Sequence, residues 1–382
     1  MFTKRQSRRI GRAGGALGML AVAGLVLTGC SGINNAGSGD GSTEETITWT
    51  LATMNPSVSP QAALQDWFLD RVEEVTEGRL TFDRTAPEVL CKAAEIVDCV
   101  RDGRAQIGSS VPDYTPQYFP STSMVSIPFV NQNSQAVMQS IYDLHTSYEP
   151  AMEVMERNGL HHVATWPVGR VLVGSHEPVT GADQFQGLQM RVSGPIIQQA
   201  LTDQGANIVA IPAADTYESV ERGVISTVGG SLDFPVSYKL MELLPHWTDP
   251  GVGQYSVMAM WVNVDAYEAL PDDLRELFDQ VTLEVNSGAG VDVFNERAAD
   301  LCQQMLDSPT VQSLTAWDEA ATDAWETELG DQGKEMWIKL ATEQGLTNAE
   351  GVLEEYLAGL ERYKDAEYED ASLSCITSFA NR

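Results

Sequence analysis

The chain contains one stretch, Gly187 to Gly230, whose pattern decides its fold class: GLQMRVSGPIIQQALTDQGANIVAIPAADTYESVERGVISTVGG. Apolar residues alternate at its start, which is typical of a strand, and then recur at helical spacing. Asp215 precedes Glu218 by three residues, the spacing of a helix-capping box. The pattern predicts, in order, a strand over residues 188–192, a helix that ends at Gly205, a strand over residues 207–211 and a short helix that ends at Gly223. This alternation predicts an α/β layer with a parallel sheet.

Arg191 is the candidate binding residue of this stretch. It lies near the carboxyl end of the first predicted strand, and α/β sheets bind ligands at that edge. A guanidinium there can hold a carboxylate through two parallel hydrogen bonds. The alternative is an ordinary strand arginine paired with one of the many acidic residues nearby, and spacing alone favours that alternative.

The same stretch resembles the solute-binding proteins of TRAP transporters (tripartite ATP-independent periplasmic transporters). The resemblance is carried by GLQMRVSGP, by GAN and by a tyrosine inside the short helix that ends at Gly223. In that family an arginine in this strand anchors the carboxylate of the substrate, and Arg191 falls on it. Three positions depart from the family pattern. Asp215 replaces a Glu, residues 225–227 read Ile-Ser-Thr instead of Val-Asp-Gly, and Gly230 falls where many members have a substrate-binding Asn.

The glycine at position 230 has a consequence for the expected ligand. An Asn would supply a side-chain donor, and Gly230 supplies none and leaves more space. The substitution predicts a ligand that is bulkier or less hydroxylated than the small dicarboxylates and sugar acids bound by many members of the resembled family.

The first 29 residues are typical of an export signal. Basic residues precede an apolar run, Ala13 to Leu27, that is too short to span a membrane. Leu27-Thr28-Gly29-Cys30 has the form of a lipobox, which predicts cleavage before Cys30, lipidation of Cys30 and anchoring at the outer face of the cytoplasmic membrane. Residues 30–46 are predicted to be a flexible linker. The alternatives are an uncleaved anchor and a chance cysteine, and the Arg8-Arg9 pair allows twin-arginine export.

The composition is strongly acidic. The full chain has 23 Lys and Arg against 54 Asp and Glu, and removal of the first 29 residues with their five basic side chains leaves 18 against 54, a net charge of −36. This balance argues against nucleic acid and anionic lipid surfaces as partners, and it indicates a solvated surface that resists aggregation. It also makes a basic residue in a cleft more informative, because cations are scarce.

The sequence contains none of the common local signatures of catalysis. H-E-x-x-H, G-x-S-x-G, G-x-x-x-x-G-K and G-x-G-x-x-G are absent, and the five histidines do not have a metal-ligand spacing. We therefore predict no enzymatic activity, no cofactor and no metal site. The alternative function is a lipid-anchored secreted hydrolase with a dispersed catalytic triad, since triads need not be local in sequence.

A third possible function is that of an ABC-type receptor. The resemblance to TRAP solute-binding proteins and a long predicted helix weigh against it.

Four cysteines remain after Cys30, and an even number in an exported chain favours disulfides. The favoured pairing is Cys91 with Cys99 and Cys302 with Cys375. Metal binding is the alternative, and no C-x-x-C or neighbouring histidine supports it. Two cysteines eight residues apart in one continuous helix would lie about 12 Å apart and could not bond. Cys91 is therefore expected in the turn before a helix.

The rest of the chain predicts two lobes joined by crossing strands. Strands over residues 47–53, 79–84, 105–109 and 162–166 alternate with helices that begin near residues 59, 93 and 133. This segment resembles the N-terminal lobe of TRAP solute-binding proteins, and a strand over residues 255–264 would cross back to it. The predicted lobes are residues 47–169 with about 260–300, and residues 170–259 with about 301–382.

Three helical predictions complete the second half of the chain. An apolar helical pattern continues from Leu274 past Leu306, and a long helix that spans both lobes is a feature of the resembled family. A helical run is also predicted over residues 238–244. Residues 307–382 are predicted to be acidic and helical.

The resemblance implies further contacts with the ligand. A second arginine of the family reaches the acid group near the position of Arg170, for which a surface arginine at a hinge is the alternative. Trp166, Phe234 and Tyr114 are candidates to cover the body of the ligand, although a place in the core is the favoured alternative for each. The resemblance implies a membrane-anchored receptor whose two lobes close on an organic acid and deliver it to the small and large membrane subunits of a TRAP transporter.

Overall fold

The computed structural model describes residues 46–382; the predicted signal segment, the Cys30 lipobox and nearly all of the linker lie outside the described residues. The strands are β1 Ile47–Thr53, β2 Leu80–Arg84, β3 Ile107–Ser110, β4 Leu160–Pro167, β5 Leu172–Ser175, β6 Gln189–Arg191, β7 Asn207–Ile208, β8 Thr227–Gly230, β9 His246–Asp249, β10 Val257–Asn263 and β11 Ser313–Ala316. The helices are α1 Pro60–Val75, α2 Ile96–Arg101, α3 Ser134–Ser147, α4 Glu149–Arg157, α5 Pro195–Asp203, α6 Thr216–Glu221, α7 Phe234–Ser237, α8 Val264–Glu268, α9 Asp272–Glu284, α10 Gly290–Asp307, α11 Glu319–Leu329, α12 Gln332–Glu343, α13 Ala349–Arg362 and α14 Ala371–Ala380. None of these helices has the length and apolar character needed to cross a bilayer.

The strands form two mixed sheets, which confirms the predicted α/β class. The first sheet has the order β2-β1-β3-β10-β4, and the second has the order β11-β9-β5-β8-β6-β7. In the first sheet β1 is parallel to β2 and β3, whereas β10 is antiparallel to both of its neighbours. In the second, β6 is parallel to β7 and β8, and β5 is antiparallel to β8 and β9. The sheets are mixed because β5 and β10 enter them from the opposite sheet.

Three connections join the two sheets. The chain passes from β4 to β5, returns from β9 to β10, and passes a third time through α9 and α10 to β11. Along this third connection, α10 contacts both α1 and α7. The predicted long helix is therefore present as α9 and α10, with a kink between them at Gly288, whose φ is 137°. That backbone conformation favours glycine, because a side chain would be strained there.

The start of α1 shows why the early elements follow the sequence pattern closely. Ser59 caps the helix by accepting a hydrogen bond from the amide of Ala62, and Pro60 occupies the first helical position. Phe68 of α1 then packs edge to face against Phe278 of α9, 5.4 Å between ring centroids. Trp49 of β1 packs against the same Phe278 ring, so β1, α1 and α9 share one buried core.

The C-terminal helices return to the beginning of the chain. Helix α13 packs on α3, and α12 contacts α5. The buried indole of Trp337 donates to the hydroxyl of Ser123, and the hydroxyl of Tyr356 donates to the side chain of Asn131. These helices thus build a second hydrophobic cluster with the segment before α3. The exact lobe boundaries stay a prediction.

Three local predictions are wrong. Asp215 makes no capping hydrogen bond, because it is the last residue of a 3-10 turn that leads into α6. Residues 238–244 are not one helix, because Lys239 has a φ of 57° and separates the short α7 from a 3-10 turn. Strand β11 lies in a segment that was predicted to be helical, and it pairs in parallel with β9.

Both predicted disulfides are present. Cys91 lies in a bend before α2 and bonds to Cys99 inside that helix, with 6.6 Å between Cα atoms. Cys302 of α10 bonds to Cys375 of α14, 73 residues later, with 5.6 Å between Cα atoms. The second bond attaches the C-terminal helix to the long connection between the sheets.

Candidate functional site

The end of β6 borders a small cavity between residues of the two sheets. Its volume is about 30 Å³. The first sheet and the loops around it contribute apolar and aromatic side chains, and the second contributes Arg191 and a buried acid. The lining residues are Met54, Gln61, Val111, Tyr114, Val168, Arg191, Ser193, Ala213, Ser231, Asp233, Phe234, Tyr238, Tyr255, Ser256 and Met258.

Arg191 is the last residue of β6 and is only 1% exposed. Its Nε donates to the carbonyl of Ile211 at 3.2 Å, its Nη1 to the carbonyl of Gly229 at 3.4 Å and its Nη2 to the hydroxyl of Tyr114 at 3.1 Å. All three acceptors are uncharged, and within residues 46–382 no carboxylate lies within ion-pairing distance of the guanidinium. These bonds use three of its five N–H donors, one on each nitrogen, so each Nη keeps one donor for another partner.

Phe234 covers the guanidinium, and Gly230 makes room for it. The Phe234 ring centroid lies 4.9 Å from the Arg191 Cζ, within cation–π distance. A Cβ at Gly230 would overlap the Phe234 ring. The predicted consequence of this glycine therefore changes: the space left by the absent side chain is filled by Phe234 rather than left open for a ligand, and Gly230 does not line the cavity.

Tyr114 closes the cavity from the side of the first sheet. It ends the 3-10 turn that follows β3, and its hydroxyl accepts hydrogen bonds from Arg191 and from the backbone amide of Ala213 at 3.0 Å. Burial raises the pKa of its phenol, so the group stays protonated. Residues attached to the two sheets are therefore joined at the cavity by one hydroxyl oxygen.

Two buried carboxyl groups lie within electrostatic range of Arg191. Asp233 lines the cavity, is 3% exposed and accepts a hydrogen bond from Ser231 at 2.6 Å. Asp113 accepts from Ser256 at 2.6 Å and from Ser193 at 3.4 Å, and both serines line the cavity. Burial raises the pKa of each carboxyl group to about 6, against the opposing effects of these hydroxyl groups and of Arg191.

A wider cleft of about 340 Å³ adjoins the cavity. The two share Tyr114 and Ser193 as walls, and the cleft is lined on one side by residues near Asp113 and on the other by residues 192–198 and 210–212. Gly194 bounds this side with a φ of 96°, and a Cβ there would lie 2.5 Å from the carbonyl oxygen of Tyr255. The cleft therefore leaves space directly beside the cavity that Arg191 lines.

Arg170 does not line the cavity, contrary to its predicted role beside the ligand. Its Nε donates to Asp249 at 2.7 Å, its Nη1 donates to Gln132 at 2.7 Å, and Asp370 lies 3.7 Å from the same Nη1. Arg170 itself is buried. Two carboxylates already balance its charge, so the guanidinium stabilises the connection between β4 and β5.

Trp166 is also a core residue rather than a wall of the cavity. Its ring is buried in β4, and its Nε1 donates to the side chain of Gln61 at 3.1 Å. Gln61 does line the cavity. The tryptophan therefore positions a residue of the cavity wall without being part of that wall itself.

Sequence reasoning missed Asp113, Asp233, Ser193 and Ser256. The two acids are unremarkable in a chain with 54 acidic residues, and their burial depends on strands that are distant in sequence. A usable signal was the position of Asp113 three residues after the end of β3, since ligands of α/β folds bind beyond the carboxyl ends of strands. Among the described residues, no group of His, Cys, Asp and Glu side chains has an arrangement that could hold a metal ion.

The family model for "bacterial extracellular solute-binding protein, family 7" matches residues 51–340, most of the chain. The chain belongs to this family. The resemblance to TRAP solute-binding proteins is confirmed, and membership in a family of binding proteins removes the hydrolase alternative.

Characterised relatives match this family 7 protein along most of their length. The ectoine-binding periplasmic protein TeaA of Halomonas elongata is 22% identical over 262 residues, which cover 67% of this chain and 75% of the relative. The C4-dicarboxylate-binding periplasmic protein DctP of Rhodobacter capsulatus is 22% identical over 280 residues, which cover 72% and 82%.

Solved structures of family members share the fold. A TRAP solute-binding protein from Rhodoferax ferrireducens, in complex with copurified benzoate, aligns with a TM-score of 0.75 at 19% identity, covering 84% of this chain and 99% of that one. A Bordetella bronchiseptica protein with bound mandelate aligns with a TM-score of 0.71 at 23% identity, covering 83% and 99%. At these identities the alignments establish the two-sheet architecture of the family 7 protein.

Proposed function

We propose that this protein is the solute receptor of a TRAP transporter and that it binds an organic acid by its carboxylate at Arg191. The observation that carries this proposal is the set of hydrogen-bond partners around the Arg191 guanidinium. A guanidinium with 1% exposure has three neutral hydrogen-bond acceptors and no carboxylate partner among residues 46–382. Buried charges in proteins are ordinarily paired, so this one is suited to an anionic ligand.

The donors left on Arg191 fit a carboxylate. One N–H remains on each terminal nitrogen, and two adjacent donors match the two oxygens of a carboxylate in a bidentate pair. The three neutral acceptors hold the guanidinium in place before the ligand arrives, which reduces the entropy lost on binding.

The relatives support the chemical class. The proteins described above bind ectoine, C4-dicarboxylates, benzoate or mandelate according to their descriptions, and each of these molecules contains a carboxylate. Tyr114, Phe234, Tyr238 and Tyr255 give the cavity an aromatic wall that suits the body of such an acid.

We further propose that the mature receptor begins at a lipidated Cys30, is held at the outer face of the cytoplasmic membrane, and delivers its ligand to the small and large membrane subunits. The lipobox pattern at residues 27–30 and the flexible linker predicted over residues 30–46 support this arrangement. The family description, which places its members outside the cytoplasm, is consistent with it.

Binding measurements on Arg191 variants test the proposed function. We expect at least one acid from a calorimetric panel of benzoate, mandelate, succinate and pyruvate to bind the wild-type protein. Arg191→Ala should weaken that binding by about 3–5 kcal/mol, a thousandfold or more, and Arg191→Lys should also lose most of it.

The matched control is Arg222→Ala. Arg222 belongs to the same half of the chain, is exposed and forms a surface ion pair with Glu218. The Arg222→Ala protein should bind the acid with the affinity of the wild type. Near-normal affinity in a folded Arg191→Ala protein would refute the proposed anchor.

A further inference from the structure

The charges around the cavity do not balance for a simple carboxylate ligand. Arg191 contributes one positive charge, and Asp233 and Asp113 contribute two negative charges when ionised. Within residues 46–382, neither acid has a basic side chain within ion-pairing distance. A monocarboxylate bound to Arg191 would therefore add a second net negative charge to a buried site that already carries one.

We propose that the ligand is a zwitterion, with its carboxylate on Arg191 and a protonated nitrogen on Asp233. This inference rests on the proposed function and specifies the ligand of the same site. A zwitterion adds no net charge, and its cation supplies the partner that Asp233 lacks. Electrostatic complementarity of this kind selects one ligand over a close analogue more strongly than it raises affinity in general.

The position of Asp233 supports direct contact with the ligand. Its side chain lines the same cavity as Arg191, and one carboxyl oxygen is held by Ser231 at 2.6 Å. The next residue along the chain is Phe234, whose ring packs against Tyr238 with 4.7 Å between centroids. A cation beside Asp233 would therefore face aromatic rings as well as a carboxylate, and aromatic faces attract cations.

Asp113 also favours a zwitterion, although it lies behind the cavity wall formed by Ser193 and Ser256. Its Oδ2 is held by Ser256 and Ser193, and its Oδ1 is buried without a hydrogen-bond partner among the described residues. A buried acceptor without a donor is costly, and a ligand N–H near the shared serine wall could satisfy it. The site thus combines Arg191 and Asp233, which line the cavity, with Asp113 behind its serine wall.

Matched pairs of ligands test the inference. Proline and cyclopentanecarboxylate, pipecolate and cyclohexanecarboxylate, and phenylalanine and 3-phenylpropionate each differ by one protonated nitrogen. Calorimetry on the wild-type protein should find a zwitterion that binds at least about tenfold more tightly than its paired acid. Asp233→Asn should remove this preference, because it weakens binding of the zwitterion and strengthens binding of the paired acid. Asp215→Asn, at an exposed position on the same half of the chain, is the control and should keep it.

The pH dependence of wild-type binding gives a second readout that needs no variant. Asp233 and Asp113, whose pKa values burial raises to about 6, take up protons as the pH falls from 8 to about 5.5, whereas the buried phenols of Tyr114, Tyr238 and Tyr255, whose pKa values burial also raises, keep theirs. Zwitterion affinity should fall over this range, because its cation loses a charged partner. The affinity of the paired acid should rise instead.

Each outcome has a defined reading. If an acid binds as tightly as its zwitterion, or if Asp233→Asn leaves the preference intact, the inference is wrong and the carboxylate receptor stands. Binding of none of the three zwitterions also overturns the inference. Failure of the proposed function is distinguished from this, because it requires that an acid which does bind is unaffected by Arg191→Ala.

Discussion

The hydroxyl of Tyr114 lies 3.1 Å from the Nη2 of Arg191, although the two residues are 77 positions apart and belong to opposite halves of the fold. The same oxygen accepts the amide of Ala213 at 3.0 Å. One phenol from the first half therefore holds both the guanidinium and the adjacent backbone of the second half. The arrangement fixes Arg191 while leaving a donor on each of its terminal nitrogens.

Removal of this hydroxyl should weaken both the fold and the site. In Tyr114→Phe, the amide of Ala213 and one N–H of Arg191 lose their acceptor in a buried place. We expect the free energy of unfolding to fall by about 1–3 kcal/mol and the affinity for a bound acid to fall about tenfold. Urea denaturation and calorimetry measure the two effects. The control is Tyr118→Phe, whose hydroxyl donates to Asp98 away from the cavity; equal effects in both variants would contradict this role of Tyr114.

Substitution of Arg170 should lower folding stability, whereas substitution of Arg191 should lower ligand affinity. Arg170→Ala leaves the buried Asp249 and the largely buried Asp370 without their cation, which should cost about 3–5 kcal/mol of folding stability. The affinity of the molecules that remain folded should be close to that of the wild type. Denaturation curves and calorimetry on the same preparation check both statements. A large loss of affinity with unchanged stability would instead support the contact with the ligand that the sequence predicted.

The buried Asp233 should lower stability at neutral pH. Its pKa is raised by burial to about 6 from an ordinary value of 3.8, so the folded state holds the proton more tightly than the unfolded state. This contribution to stability is therefore present below about pH 4 and is lost as the pH rises through 6. Asp233→Asn should be more stable than wild type at pH 7, by up to about 3 kcal/mol, and should show no gain near pH 4. Denaturation at both pH values measures the difference; an equal gain at both would show that the charge is not its cause.

The size of the cavity predicts that binding involves movement. A volume of about 30 Å³ accommodates about two water molecules, far less than an organic acid needs. The sheets must separate to admit a ligand, and the crossings β4–β5 and β9–β10 are the segments that can bend. The free protein in solution is therefore expected to be more open than this structure, and small-angle scattering should show the radius of gyration fall when a tight-binding acid saturates it. Arg191→Ala should show no change at the same ligand concentration. An unchanged wild-type curve at saturation would exclude a hinged mechanism.

The sequence predicted what local patterns encode. The bounds of β1, the capped start of α1 and the place of Arg191 at the end of β6 all follow from periodicity, turn residues and a family motif. The need for Cys91 to lie outside the helix of Cys99 follows from helix geometry alone.

The errors concern local turns and partners that are distant in sequence. Asp249 and Asp370, which neutralise Arg170, lie 79 and 200 residues after it. The space at Gly230 is occupied by the ring of Phe234, four residues later, and no sequence pattern predicts the turn that brings this ring there. Asp113 and Asp233 differ from the other acids because folding buries them near Arg191, which no local sequence pattern predicts.

The order of the first sheet has a consequence for how the chain is made. Strand β10 lies between β3 and β4, yet it is the last of the five strands to leave the ribosome. Until residue 263 is available, β3 and β4 have no neighbour on their facing sides, and exposed strand edges of this kind invite pairing with other chains. A half-synthesised molecule thus has an unfinished sheet that needs protection from aggregation. The first sheet can therefore be completed only after residue 263 has been made.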